Sequence, residues 1–264
     1  RTLSMYNFKS AQPVAPYIGG KSKLAKLIIE QIESIPHTTY AEAFVGMGGV
    51  FLRRSSAPKA EIINDYSKDV ANLFRILQTH YVAFLEYLKW QLTTRADFDR
   101  LMSVDPSTLT DIQRAGRFLY IQKVAFGGKV KGRNFGMIYD GPARFDITKL
   151  VPILEAAHER LSRVVIECLD YKEFIRVYDR NGVLFYLDPP YYGNENDYGK
   201  AMFGRDEFSK MAAILKNIKG TFILSLNDRP EVRDIFSEFN LYPVATTYTI
   251  AAGGSQKKIG RAHV

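Results

Sequence analysis

The chain has 264 residues, 46% hydrophobic and 24% charged, a globular composition that excludes disorder throughout and suits one α/β core with a smaller inserted module. Its net charge of +8 and pI near 9.4 attract polyanions, which makes nucleic acid the leading partner class ahead of a membrane surface. A single cysteine, Cys168, excludes an intrachain disulfide and a CxxC metal site, and four scattered histidines offer no metal-ligand spacing, in keeping with a reducing, cytoplasmic setting.

Residues before Met5 read as a tag or processed segment, without the apolar core of a secretion signal. Apolar residues at Leu24, Leu27, Ile28, Ile32 and Ile35 predict a helix. Thr39 to Phe44 is a strand running into Gly46-Met47-Gly48-Gly49, with a helix expected from about Gly49. Ala60 to Asn64 is a second strand, closing on Asp65, and Val70 to Leu77 is helical. This is the βαβ grammar of a parallel sheet. Residues 78–150 differ: helices over Val82 to Leu92 and Ile112 to Val124 precede a Gly- and Lys-rich hairpin or loop from Phe126 to Gly136. We read 78–150 as an insertion and 5–77 with 151–264 as a discontinuous core. The α/β pattern resumes with a helix over Val151 to Leu161, a strand over Val164 to Cys168 and a helix over Lys172 to Tyr178. Val183 to Leu187 is wholly apolar, suited to a buried central strand. Thr221 to Leu226 is another strand, and Leu241 to Ile250 holds one or two more. No run approaches the roughly twenty apolar residues needed to cross a bilayer.

Asp188-Pro189-Pro190-Tyr191 follows the buried strand directly, where open α/β sheets bind ligands. Two prolines stop the strand and stiffen the loop. The Asp188 carboxylate and the Pro189 carbonyl can accept the two N–H bonds of a planar amino group, and the Tyr191 ring can stack on its face. Such acceptors favour a more tetrahedral nitrogen, whose lone pair can attack an electrophilic methyl. The competing reading is a proline turn with a capping Asp.

Glu42-Ala43-Phe44-Val45-Gly46-Met47-Gly48 lets a ligand approach the backbone and fits NAD, FAD, nucleotide or S-adenosylmethionine folds; it is equally a tight strand-to-helix turn. Asp65 suits the ribose hydroxyls of a nucleoside cofactor, or a helix N-cap. Tyr17-Ile18-Gly19-Gly20-Lys21 lacks P-loop spacing, yet Gly20 and Lys21 at a helix start can hold a carboxylate; a helix-entry turn is the alternative. Asp170 and Tyr171 stand where a cofactor adenine can be contacted, or where a helix is capped. Lys129, Lys131, Arg133 and Asn134, with Lys257 and Lys258, can clasp DNA, or form a solvated face.

In this order, these segments closely resemble the Dam-like adenine-N6 DNA methyltransferases: Tyr17 to Lys21, Phe44 to Gly48, Asn64-Asp65, Asp170-Tyr171, Asp188 to Tyr191, Ser225-Leu226-Asn227, and Gly253 to Lys258. The resemblance implies a Rossmann-like S-adenosylmethionine-dependent sheet of about seven strands, with a mostly helical target-recognition insertion and hairpin. It implies that Tyr17, Gly20, Lys21, Glu42, Phe44, Gly46, Gly48, Asp65, Asp170, Tyr171 and Asp188 bind the cofactor, leaving S-adenosylhomocysteine as product. Asp188, Pro189, Pro190 and Tyr191 would hold a flipped-out adenine, and the insertion would read double-stranded DNA, with no metal. The implied setting is the cytoplasm of a bacterial or phage-infected cell, for a monomer or weak dimer, beside a restriction enzyme or as an orphan. Two departures stand out. Members that read GATC carry a Gly-Leu-x-Arg-Tyr-Asn type hairpin, whereas Gly127 to Asn134 does not. Members also continue past their Arg/Lys segment with an apolar strand, so a trimmed chain or a shortened last strand is expected at Val264. The rival readings are an RNA adenine-N6 methyltransferase with the same pocket and a catalytically silent DNA-binding module.

Overall fold

The structure, a computed structural model, describes residues 5–17, 24–91, 93–125, 135, 145–193, 203–248 and 258–263. Strand β1 (Tyr6–Asn7) leads to α1 (Ala25–Ser34), β2 (Thr39–Glu42), β3 (Ser56–Ala57) and β4 (Ala60–Asn64). Helices α2 (Lys68–Thr79), α3 (Tyr81–Leu88), α4 (Arg95–Ser103), α5 (Asp111–Val124) and α6 (Ile147–Leu161) follow, then β5 (Val164–Glu167), α7 (Tyr171–Tyr178) and β6 (Val183–Leu187). The chain continues through α8 (Asp206–Leu215), β7 (Thr221–Leu224), β8 (Leu226–Asn227), α9 (Pro230–Ile235), β9 (Pro243–Tyr248) and β10 (Lys258–His263).

Five strands form a parallel sheet in the order β5-β4-β2-β6-β7. The α/β class and the parallel sheet agree with the sequence reading. A second, antiparallel sheet has the order β8-β10-β9. Only Ser225 separates β7 from β8, and its N–H donates to the Leu187 carbonyl at 2.9 Å.

All five side chains of β6 are buried because strands flank it and both faces of the sheet are covered. Each such Val, Leu or Phe contributes about 1.5–3 kcal/mol relative to exposure. That makes β6 a stiff base for the loop that follows it. Side chains alternate between two apolar clusters, as a period of two requires. Tyr40, Ile63, Leu184 and Tyr186 face one cluster, Ala41, Ile62, Phe185 and Leu187 the other. The first cluster also takes Phe84, Leu88, Phe98, Leu101 and Phe118, so the helices between 81 and 124 share a core with one face of the sheet.

The expected helix from about Gly49 is corrected. Residues 46–53 form consecutive turns instead. Gly48 has a φ of +73°, outside helical values. The bonds from Gly48 N to Val45 O and from Arg53 N to Val50 O close three-residue spacings, so the turns do not propagate as an α-helix. Helix α4 is an element the apolar pattern leaves unread. Only Phe98 and Leu101 are buried on it, and the Thr94 side chain caps it by accepting from Asp97 N at 3.0 Å. Helix α6 begins four residues before its expected start, because Asp146 caps it at Thr148 N. Among the described residues no helix is long and apolar enough to cross a membrane.

Candidate active site

Counted along the chain, the parallel strands lie in the order third, second, first, fourth, fifth. The order reverses between β2 and β6, and the crevice at their carboxyl ends is where open α/β sheets bind ligands. Ala43 N donates to Tyr186 O at 3.0 Å across that boundary. The glycine turn after β2 and the proline loop after β6 therefore leave the sheet side by side.

The glycine turn is drawn in from several directions. Val45 N donates to Asn64 O at 2.9 Å, and Gly46 N donates to Asp65 Oδ2 at 2.9 Å. Asp65 Oδ1 accepts from Ser67 N at 2.9 Å, and Ser67 caps α2. Asp65 thus anchors the glycine turn and the helix entry, while the residue that caps α2 is Ser67 rather than Asp65. Burial pushes its carboxyl up to about 6, against the lowering pull of those two N–H bonds. Gly46 and Gly48 have φ of +51° and +73°. A Cβ on Gly46 would lie 3.1 Å from the Tyr17 ring, and one on Gly48 2.8 Å from Leu52 Cγ. Only glycine fits both places, and the Tyr17 ring closes over the turn.

The proline loop is held differently. Pro189 is buried, while Asp188, Pro190 and Tyr191 are half-buried at the crevice. Beyond them, Asn227 on β8 clasps the loop by accepting from Tyr192 N and donating to Tyr192 O, each at 2.9 Å. Glu42 lies at the end of β2, 2% exposed, and accepts from the Tyr40 hydroxyl at 2.7 Å. Burial pushes the Glu42 carboxyl up to about 8; the Tyr40 hydrogen bond opposes this and the Asp188 charge adds to it.

Asp170 caps α7 by accepting from Lys172 N at 2.9 Å. Tyr171 is buried, its ring tilted against those of Phe44 at 5.6 Å and Phe203 at 5.7 Å between centroids. Its hydroxyl donates to Glu207 Oε2 at 2.9 Å. These contacts join Phe44, Tyr171 and α8 into one wall.

The structure brings Tyr17, Glu42, Phe44, Gly46, Gly48, Asp65 and the Asp188–Tyr191 loop to the carboxyl ends of β2, β4 and β6, with Asp170 and Tyr171 beyond β5. Gly20, Lys21, Lys129, Lys131, Arg133, Asn134 and Lys257 lie outside the described residues, and Lys258 begins β10. Two residues position the site from a distance, Asn64, already in a motif segment, and Gln122, which the sequence reading missed. Asn64 donates to the carbonyls of Ala43 and Leu169, both at 3.0 Å, and accepts from Leu169 N at 2.8 Å, tying together the ends of three strands. Gln122 on α5 donates to Pro16 O at 3.0 Å, fastening the segment before Tyr17 to the helical region. A polar residue within a largely apolar stretch is the only trace Gln122 leaves in the sequence. An apolar cavity of about 650 Å³ lies elsewhere, along β7 and α9, and none of the candidate residues lines it.

The chain matches the family model for D12 class N6 adenine-specific DNA methyltransferase over residues 17–250. It is 24% identical over 279 aligned positions to Type II methyltransferase M1.LlaDCHI of Lactococcus lactis subsp. cremoris, covering 97% of this chain and 95% of that protein. It is 21% identical over 230 positions to Type II methyltransferase M.CviBI of Paramecium bursaria Chlorella virus NC1A, covering 86% and 87%. The crevice, its motif order and these matches agree, and neither an RNA enzyme nor a silent DNA-binding module is favoured. The chain belongs to the D12 class N6 adenine-specific DNA methyltransferases.

Proposed function

We propose that the crevice between β2 and β6 is the active site of a site-specific DNA adenine-N6 methyltransferase, with the cofactor along the glycine turn and the target adenine against Asp188–Tyr191. The observation that carries this is the adjacency of the two turns, spanned by the Ala43–Tyr186 hydrogen bond at 3.0 Å. Methyltransferases of this family use S-adenosylmethionine. The residues fit it: two positive-φ glycines expose backbone beneath Tyr17, and the half-buried Asp65 carboxylate stands beside them. Tyr17, Gly20, Lys21, Glu42, Phe44, Gly46, Gly48, Asp65, Asp170 and Tyr171 would hold it. When bound, this cofactor supplies a methyl group on a sulfonium.

The Asp188 carboxylate and the Pro189 carbonyl accept the two N–H bonds of the adenine amino group, and Tyr191 stacks on the base. They position and polarise the nitrogen, so no covalent enzyme intermediate is needed. Reaching them takes the base out of the duplex, at a cost of a few kcal/mol. Phosphate contacts from Lys129, Lys131, Arg133, Lys257 and Lys258 offset that cost. Residues 78–150 act as the target-recognition region. The sequence from Gly127 to Asn134 departs from the GATC-reading pattern. The passage of one chain from β7 through Ser225 into β8 supports reading both sheets as a single seven-stranded sheet. The lone cysteine and the basic balance support action in the cytoplasm, as a monomer or weak dimer.

The test is Asp188→Ala. It is expected to abolish transfer of a radiolabelled methyl group to unmethylated genomic DNA while the circular dichroism spectrum survives. Retained transfer refutes the site.

A further inference from the structure

The segment that carries Tyr17 is held from the helical region. Gln122 is fully buried on α5, where Leu119, Ile121 and Val124 around it are apolar. A buried amide is costly unless it is hydrogen-bonded, and Gln122 Nε2 donates to Pro16 O at 3.0 Å. That carbonyl belongs to the peptide plane that carries the Tyr17 nitrogen, and the plane is rigid. Pro13 and Pro16 fix two φ angles in the same short stretch, and Val14 and Ala15 between them are buried. The bond therefore sets the direction in which Tyr17 leaves the segment. The Tyr17 ring lies over Gly46, 3.1 Å from where a Cβ would stand.

Helix α5 also holds the other flank of the glycine turn. Near its start Arg114 Nε donates to Asp69 Oδ1 at 2.6 Å, and Asn72 Nδ2 donates to Asp111 O at 2.8 Å. Asp69 and Asn72 lie in the first turns of α2, just after Asp65 and Ser67, and Asp65 accepts from Gly46 N at 2.9 Å. At the far end of α5, Ala125 pairs with Phe135 in an antiparallel bridge. Phe135 is held in turn by the Phe98 ring at 5.6 Å and by Arg95, 5.1 Å from its ring centre. In sequence, Lys129, Lys131 and Arg133 lie between these two bridged residues.

We propose that Gln122 is a positioning residue that seats the Tyr17 ring over the glycine turn, and that α5 thereby couples the cofactor crevice to the DNA-reading segment that Ala125 and Phe135 close. The proposal rests on the readings of the crevice as the cofactor's seat and of residues 78–150 as the target-recognition region. DNA held by that segment loads the Ala125–Phe135 bridge, and less than one turn of helix separates Ala125 from Gln122. With α5 fixed by DNA, the Tyr17 ring is already seated when the cofactor arrives, so less freedom is lost on binding. Linkage makes the effect reciprocal: DNA tightens the cofactor by the factor with which the cofactor tightens DNA.

The experiment is calorimetry with S-adenosylhomocysteine on the full chain, alone and with saturating fragments of unmethylated genomic DNA. In the parent, DNA is expected to tighten binding about fivefold or more. Gln122→Met keeps the volume and the helix and loses the donor. It should bind roughly two- to tenfold more weakly without DNA, the worth of one hydrogen bond, and should lose most of the tightening by DNA. A parent affinity that DNA does not change, or tightening kept in full by Gln122→Met, overturns the coupling. Tyr17→Ala tests the route: in that background Gln122→Met should cost no further affinity, and losses that add overturn the positioning role. In steady-state methyl transfer Gln122→Met should raise KM for S-adenosylmethionine with kcat held; a lower kcat with KM unchanged overturns the proposal. Should the apolar replacement fail to fold, Gln122→Glu keeps the shape and a polar end. Its carboxyl can donate to Pro16 O only while protonated, so its cofactor affinity should fall more steeply with rising pH than the parent's, and matching pH profiles overturn the role of the bond. Gly48→Ala that leaves S-adenosylhomocysteine binding intact would instead refute the crevice as the cofactor's seat, and the proposal with it, a failure distinct from an unchanged Gln122→Met.

Discussion

The two turns that line the crevice are built on opposite principles. The glycine turn after β2 works by lacking atoms: φ of +51° and +73° at Gly46 and Gly48 leave backbone where side chains would otherwise stand. The proline loop after β6 works by stiffness: two fixed rings hold a carboxylate, a carbonyl and a phenol in place. In the proposed site, one side would present main chain to the cofactor and the other reactive groups to the base. Adding atoms should therefore damage the first, through binding, and removing atoms should damage the second, through chemistry.

The loss of transfer expected at Asp188 is the largest effect on the chemical side. The largest on the binding side is Gly48→Ala. Its Cβ would sit 2.8 Å from Leu52 Cγ at a φ of +73°, and a non-glycine residue held in that region costs on the order of 1–3 kcal/mol. We expect a lower denaturant midpoint and weaker cofactor binding by calorimetry. Gly46→Ala should lose cofactor affinity with less loss of stability, because the Tyr17 ring it meets at 3.1 Å can shift. Equal losses of stability in the two variants would erase the difference between the two glycines.

Asn227→Ala sharpens the other side. It removes both hydrogen bonds that clasp Tyr192, so the loop keeps its prolines and loses its outer anchor. Misplacement on the scale of an ångström lowers kcat by up to about 10²-fold, while cofactor affinity should hold. A variant that loses affinity with kcat intact would place Asn227 on the binding side. Replacing Lys129, Lys131 and Arg133 together should lower the slope of log affinity for DNA against log salt by about 0.9 for each phosphate no longer neutralised. An unchanged slope removes that segment from the interface.

The smallest effect is on stability against pH. Glu42 rises from 4.5 to about 8 on folding, so the unfolded chain ionises it while the folded chain keeps its proton. Stability should fall as pH rises across that window. Glu207 behaves in the opposite sense. Against the rise that burial brings, hydrogen bonds from Lys210, Lys172 and Tyr171 hold it down to about 2. Its contribution is present above 4.5 and is lost as pH falls through about 2. Melting temperatures across the two windows check both signs, and Glu42→Gln should flatten only the upper one.

Much of the site is legible in the sequence because its chemistry is local. Val183–Leu187 reads as a buried strand, and Asp188 must then emerge at its carboxyl end. Gly46 and Gly48 lie in one short run, so their joint conformational demand is visible in a handful of letters. The turns from residue 46 to 53 resemble a helix start because Val50, Phe51 and Leu52 are apolar, yet the left-handed φ of Gly48 just before them is incompatible with helical backbone. Helix α4 escapes the apolar pattern for the converse reason: its cap at Thr94 holds a segment with few apolar residues.

By itself the sequence determined the alternation of strand and helix, the glycine and proline turns, and the order of motifs that places the chain among adenine-N6 DNA methyltransferases. These depend on short-range stereochemistry and on apolar periodicity. Tertiary structure alone decided which turns become neighbours. β2 and β6 are far apart in the chain, and their pairing brings Ala43 to Tyr186 and sets Glu42 opposite Tyr186. It also decided that Asn64, Asn227 and Gln122 anchor the site, since each acts on a carbonyl or amide 21 to 106 residues away. Hydrogen bonds across such spans are set by strand order and packing, which no local pattern of residues encodes.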